Sequence, residues 1–160
     1  MVFLQTMNSI DLNMLAGPVL VTCAYFLFWY YLLLIRQRGT KVRLRKEYNE
    51  RGETFDRYFG QDAQMLAADR AVINTQEQMV PFLFSLWMYG LLGSPFYATL
   101  LGGIYVVLRA IYPFLLGRSL SKINSKKVAF VTFPCYGIIF TFIGGSAFTV
   151  VKYLLNGGQP

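Results

Sequence analysis

From Met14 to Ile35 the chain runs without a single charged side chain. A bilayer core about 30 Å thick is crossed by roughly 20 helical residues of this kind, and a chain this short has no core large enough to hide them. Three further apolar stretches follow. Together they predict an all-α membrane protein, a four-helix transmembrane bundle with spans at about 14–35, 66–92, 96–116 and 128–155 in a single domain of residues 1–160. Hydrophobic residues make up 55% of the chain and charged ones 14%, a balance that suits lipid as the solvent.

The boundaries follow from breakers and charges. Pro18 falls in the first turns of the first span, where it is tolerated, and the apolar run stops at Arg36. Residues Arg36 to Arg57 mix both signs around Gly39 and Gly52 and read as a solvated loop. No breaker then precedes Pro81, so Ala63 to Leu92 reads as one long helix, polar in its first half and apolar in its second. Gly93-Ser94-Pro95 is a turn signal between the second and third spans. Pro134 and Gly144-Gly145 mark bends or close approaches in the fourth. Basic residues crowd the first and third connections, which predicts both on the cytoplasmic side, or its organellar equivalent, and both termini on the other. Met1 to Asn13 has no positively charged n-region, so no cleaved signal is expected.

Several chemistries are excluded. Histidine is absent, which removes His-ligated metals and Ser-His-Asp or Cys-His catalysis. Cys23 and Cys135 each lie within an apolar run and have no metal-ligand spacing. The net charge of +7 flanks membrane helices and forms no basic stripe interleaved with aromatics, so it anchors the chain to a membrane surface and does not suggest nucleic acid.

One constellation carries chemistry. Arg70, Asn74 and Glu77 are spaced i, i+4, i+7 and share one helix face just where a lipid-type sequence begins. An ionisable group at that depth is costly unless it is paired or faces a wet cavity. Arg109, inside the third span, is the cross-helix candidate. Two arrangements compete: an internal Glu77–Arg109 pair with Asn74 as interhelical glue, or a polar pocket open toward the basic side that receives an anionic ligand. The excess of arginine and lysine at that level favours the pocket.

These residues carry a resemblance. Arg70-x3-Asn74-x2-Glu77 followed by Pro81-Phe82-Leu83 is similar to the second-helix signature of the MAPEG family, the membrane-associated proteins of eicosanoid and glutathione metabolism. Val42-Arg43-Leu44-Arg45-Lys46, Leu92-Gly93 and Phe133-Pro134-Cys135 resemble most the branch of prostaglandin E synthases and microsomal glutathione transferases. The likeness spans roughly Gly39 to Cys135. It implies a homotrimer in an endoplasmic reticulum, other organelle or bacterial inner membrane, with glutathione held between subunits by Arg43, Arg70, Asn74, Glu77, Arg109 and Tyr112. The implied function is a glutathione-dependent transferase or peroxidase acting on lipophilic electrophiles. The alternatives are a non-catalytic lipid-binding or scaffold protein and a structural subunit of a larger membrane complex, with a protein partner beside the membrane lipids.

The pattern also departs from the family. Leu116 replaces a second tyrosine, Asn124 or Ser125 stands where active members carry a helix-four arginine, and a further tyrosine falls near Val128. The nearest cations are Lys122 and Lys126, the candidate catalytic groups for stabilising a thiolate. A flexible ammonium is not equivalent to a guanidinium.

Overall fold

The computed structural model describes residues 12–119 and 125–157, and each element within them is helical. In chain order these are α1 (Leu12–Tyr30), a π-helical turn (Tyr31–Gln37), α2 (Arg38–Glu50), α3 (Ala63–Glu77), α4 (Met79–Leu92), α5 (Pro95–Leu116) and α6 (Ser125–Leu155). Three stretches are long and apolar enough to cross a membrane: Met14–Glu50, Pro95–Leu116 and Lys126–Leu155. Their outward faces carry large apolar side chains such as Leu20, Leu27, Phe130 and Phe140, the surface expected of helices solvated by lipid.

Two expectations are corrected. The segment after Ile35 is not a loop: the first helix runs on through the π-helical turn into α2 and ends only at Glu50. One glycine, Gly39, costs a helix only about 1 kcal/mol, and the arginines, lysines, leucine and glutamates around it are good helix formers. Ion pairs at i, i+4 join Arg43 to Glu47 and Lys46 to Glu50, and Leu44 is buried against Met65 and Ala68 of α3. Gly52, at φ 72°, ends the helix in the left-handed conformation that glycine adopts freely.

The second expected helix is interrupted. α3 stops at Glu77, Gln78 sits at φ −90° and ψ −5°, and α4 begins at Met79. Pro81 explains the break. It has no N–H to donate to the carbonyl four residues back, and its ring crowds that carbonyl, which belongs to Glu77. Asp62 caps the start of α3, accepting from the backbone N–H groups of Gln64 and Met65.

Close approaches hold the helices together. α5 packs on α1 and α6, and α4 packs on α6. Gly102 leaves room for Val21 of α1 and Leu86 of α4, where a Cβ would lie 2.9 Å from each, and Gly145 of α6 receives the ring of Tyr89. Gly144, by contrast, faces open space. In lipid, where no water-driven force presses helices together, such small-residue contacts and their dispersion energy do the binding. The buried cluster centres on Tyr25, Phe82, Tyr105, Cys135 and Phe142, with Phe82 and Tyr105 stacked at 3.7 Å between ring centroids.

Candidate functional site

α3 carries two polar faces, displaced by one residue and so by about 100° around the axis. The first is buried. Thr75 and Gln78 follow Ala71 into the bundle, where the Tyr25 hydroxyl donates to the Thr75 carbonyl at 2.6 Å and the Tyr105 hydroxyl donates to Gln78 Oε1 at 2.9 Å. The second is Arg70, Asn74 and Glu77. Arg70 and Glu77 are exposed on the isolated chain, and Asn74 is half-buried, its Nδ2 donating to the Tyr112 hydroxyl.

Arg109 reaches the boundary between these faces from α5. It is 1% exposed, its Nη2 donates to Thr75 Oγ1 at 3.2 Å, and its guanidinium lies 4.8 Å from the Tyr112 ring centroid. Its Nε has no hydrogen-bond partner. The Glu77–Arg109 pair, one of the two arrangements considered, is not among the ion pairs of the described residues, where Arg109 holds its buried charge against one neutral oxygen and one aromatic face. A buried cation so sparsely satisfied is costly to keep without an anion to meet it. Arg109 lies about 10 Å along the helix from the basic end at Leu116, counting 1.5 Å per residue.

The other expected site residues are dispersed. Arg43 is on α2, where it donates at 2.7 Å to Glu47 and at 2.7 Å to Gln64, away from the Arg70 face. Lys126 is exposed in the first turn of α6. Lys122 lies outside the described residues, as do Met1 to Asp11. Leu116 is buried with Ala71, Tyr112 and Val131, so its position supports Tyr112 by packing and offers no hydroxyl. Val128 packs against the same cluster.

A separate cleft of about 690 Å³ opens at the basic end, between the π-helical turn, α2, the start of α3 and the end of α5. Its wall includes Arg36, Arg43, Gln64 and Arg118 together with Ile35 and Phe114. The Arg36 Nη2 donates to the Gly117 carbonyl at 2.6 Å, tying the first helix to the end of α5. Outside the membrane, Arg57 grips Asp69 with two bonds of 2.9 Å, and Gln37 donates to the same carboxylate at 2.8 Å. This clamp fixes the connection Arg51 to Asp62 against α3.

Residues 15–147 match the family model of the MAPEG family. The chain belongs to the MAPEG family. No curated protein matches it. Membership and the three long apolar helices make it an integral membrane protein, in a family associated with glutathione and eicosanoid metabolism.

Sequence reasoning missed Thr75, Gln78 and Tyr105, which position Arg109 and the helix break. The signal was present: Ala71, Thr75 and Gln78 repeat the i, i+4, i+7 spacing on the neighbouring face. The Asp69–Arg57–Gln37 clamp had no signal, because its members are far apart in sequence.

Proposed function

We propose that this MAPEG protein binds glutathione on the α3 face of Arg70, Asn74 and Glu77 and uses it as a membrane transferase or peroxidase toward lipophilic electrophiles. The observation that carries this is the buried guanidinium of Arg109, with an unpartnered Nε, set beside exposed opposite charges on a helix entering the membrane. Glutathione has two carboxylates and one ammonium, the complement of that set. Its thiol, as thiolate, would attack an electrophilic carbon or a peroxide oxygen.

The exposed face is half of a site, which supports the homotrimer that the resemblance implies. Charged groups at membrane depth need a neighbouring subunit to screen them from lipid. In that assembly Arg43 comes to the ligand from a second copy, the interrupted α3–α4 segment serves as the second of four spans, and both basic connections face the cytoplasm. Lys122 and Lys126 are the cations closest in sequence to the position of the family's helix-four arginine.

A second reading, a non-catalytic lipid-binding or scaffolding member, is favoured by one observation. Val128, shortly after that position, packs into the Leu116 cluster. Spectroscopic titration of glutathione bound to the purified protein decides between them. A thiolate formed well below the free thiol value of about 8.5, together with turnover of a generic aromatic electrophile, supports the enzyme. Binding without a thiolate at any lower pH supports the second reading. No binding removes both glutathione roles.

A further inference from the structure

The basic-end cleft holds two cations, Arg36 and Arg118, that the proposed glutathione site does not use. It lies within one subunit, on the Gln64 and Ala68 face of α3, about a third of a turn or more from the Arg70, Asn74 and Glu77 face. Its cations are unequally satisfied. Arg43 has Glu47, but among the described residues Arg36 donates to one carbonyl, and Arg118 is exposed with its like charge acting on Arg36. Among the described residues neither Arg36 nor Arg118 has an acidic partner within ion-pair distance.

The cleft also straddles two media. Ile35 is the last residue of the uncharged run and Arg36 the first charge after it, so the guanidinium sits at the membrane surface. The apolar side of the wall is open: Ile35 is 62% and Phe114 74% exposed, facing the hydrocarbon level. A soluble anion would have no use for that side. The volume of about 690 Å³ is ample for a headgroup and the first segment of a chain. Cytoplasmic leaflets are rich in anionic lipids, and basic pockets between helices on that side are where such headgroups are held.

We propose that this cleft is a binding site for an acidic phospholipid, its headgroup phosphate between Arg36 and Arg118 and one acyl chain along Ile35 and Phe114. The lipid would neutralise the two facing cations and join the first helix to the end of α5 where the Arg36–Gly117 bond already ties them. Its phosphate ligands, Arg36 and Arg118, are not among the proposed glutathione residues, and Arg43 on the cleft wall is the side chain that the two sites share.

The test uses the full chain in nanodiscs of equal parts phosphatidylcholine and phosphatidylglycerol, with retained lipid measured by native mass spectrometry after mild detergent release. Wild type should retain phosphatidylglycerol in preference to phosphatidylcholine. Arg118→Glu, at an exposed position that leaves packing intact, should weaken that preference by roughly 20- to 30-fold, the worth of two unit charges at an anionic surface. The double variant Arg36→Lys with Arg118→Lys should keep most of it. An unchanged preference in Arg118→Glu overturns the proposal. So does displacement of phosphatidylglycerol by millimolar inorganic phosphate, which would mark a free-anion site, or equal retention of oleate, which would mark a fatty-acid site. Glu77→Gln should lower glutathione binding and leave phosphatidylglycerol retention as it was, so failure of either assignment is seen without the other.

Discussion

Replacing Arg109 with methionine separates a helix-binding role from a ligand-binding one. The side chain is 1% exposed, donates among the described residues to one neutral hydroxyl at 3.2 Å, and rests against one aromatic face. That bond stabilises by about 2 kcal/mol and the cation–π contact by about 1 kcal/mol. Against them stand an unpartnered Nε, costing about 1–3 kcal/mol, and the wider penalty for holding a guanidinium away from water. The costs match or exceed the gains. Methionine fills similar volume and asks for no partner, so Arg109→Met should not lower the melting temperature of the ligand-free protein by more than about 4 °C, the equivalent of about 1 kcal/mol. Glutathione affinity should fall much further. Loss of one charge-assisted bond of about 2–3 kcal/mol is roughly 30- to 150-fold in Kd. Thermal unfolding in detergent and calorimetric titration with glutathione measure the two quantities on one sample. A drop in melting temperature of more than about 10 °C with Kd unchanged would refute the reasoning and make Arg109 a structural residue.

Glu77→Gln should weaken glutathione binding while the oligomer seen by native mass spectrometry persists, because the amide keeps its hydrogen bonds and loses only the charge; equal loss of both would make Glu77 a packing residue. A trimeric mass for wild type is expected in the same spectra, and a monomer in mild detergent would count against the shared site. Gly145→Val should lower stability by about 1–3 kcal/mol, since its added carbons meet the Tyr89 ring, whereas Gly144→Val, facing open space, should be close to neutral. The Asp56 carboxylate is held below its usual value of 3.8 by the Phe59 and Tyr58 backbone N–H groups, each at 2.9 Å. Its contribution to order in the connection Arg51 to Asp62 is therefore present above about pH 4 and is lost as pH falls through the lowered value. Proteolysis of that connection should accelerate in acid for wild type and be independent of that transition in Asp56→Asn.

Membrane helices were legible because lipid imposes a long uncharged run, and nothing else in Met14 to Ile35 has to be interpreted. The family signature was legible for a similar reason: Arg70, Asn74 and Glu77 are polar where the solvent forbids it. What failed were local endings. Gly39 looked like a loop residue, yet Leu44 and the pairs Arg43–Glu47 and Lys46–Glu50 carry the helix past it. Pro81 was noted as a breaker, but a proline acts on the carbonyl four residues before it, so the interruption falls at Gln78. Of the two arrangements open for Arg109, the ion pair with Glu77 is not among the ion pairs of the described residues. Thr75, neutral and one turn from Ala71, occupies the place that Glu77 would need.

The π-helical turn at Tyr31–Gln37 has a geometric consequence for everything beyond it. A π-bulge amounts to one residue more than an α-helix of the same span, and each residue carries about 100° of rotation. The projecting rod from Arg38 to Glu50 is therefore set about a quarter-turn out of phase with the membrane-embedded rod from Leu12 to Tyr30. That offset is what lets one continuous helix bury Tyr25 and Leu32 on the bundle while still turning Leu44 onto α3. Removing a single residue from the turn would straighten the phase, swing Leu44 into water and carry Arg43 away from Gln64, though no contact within the membrane had been touched.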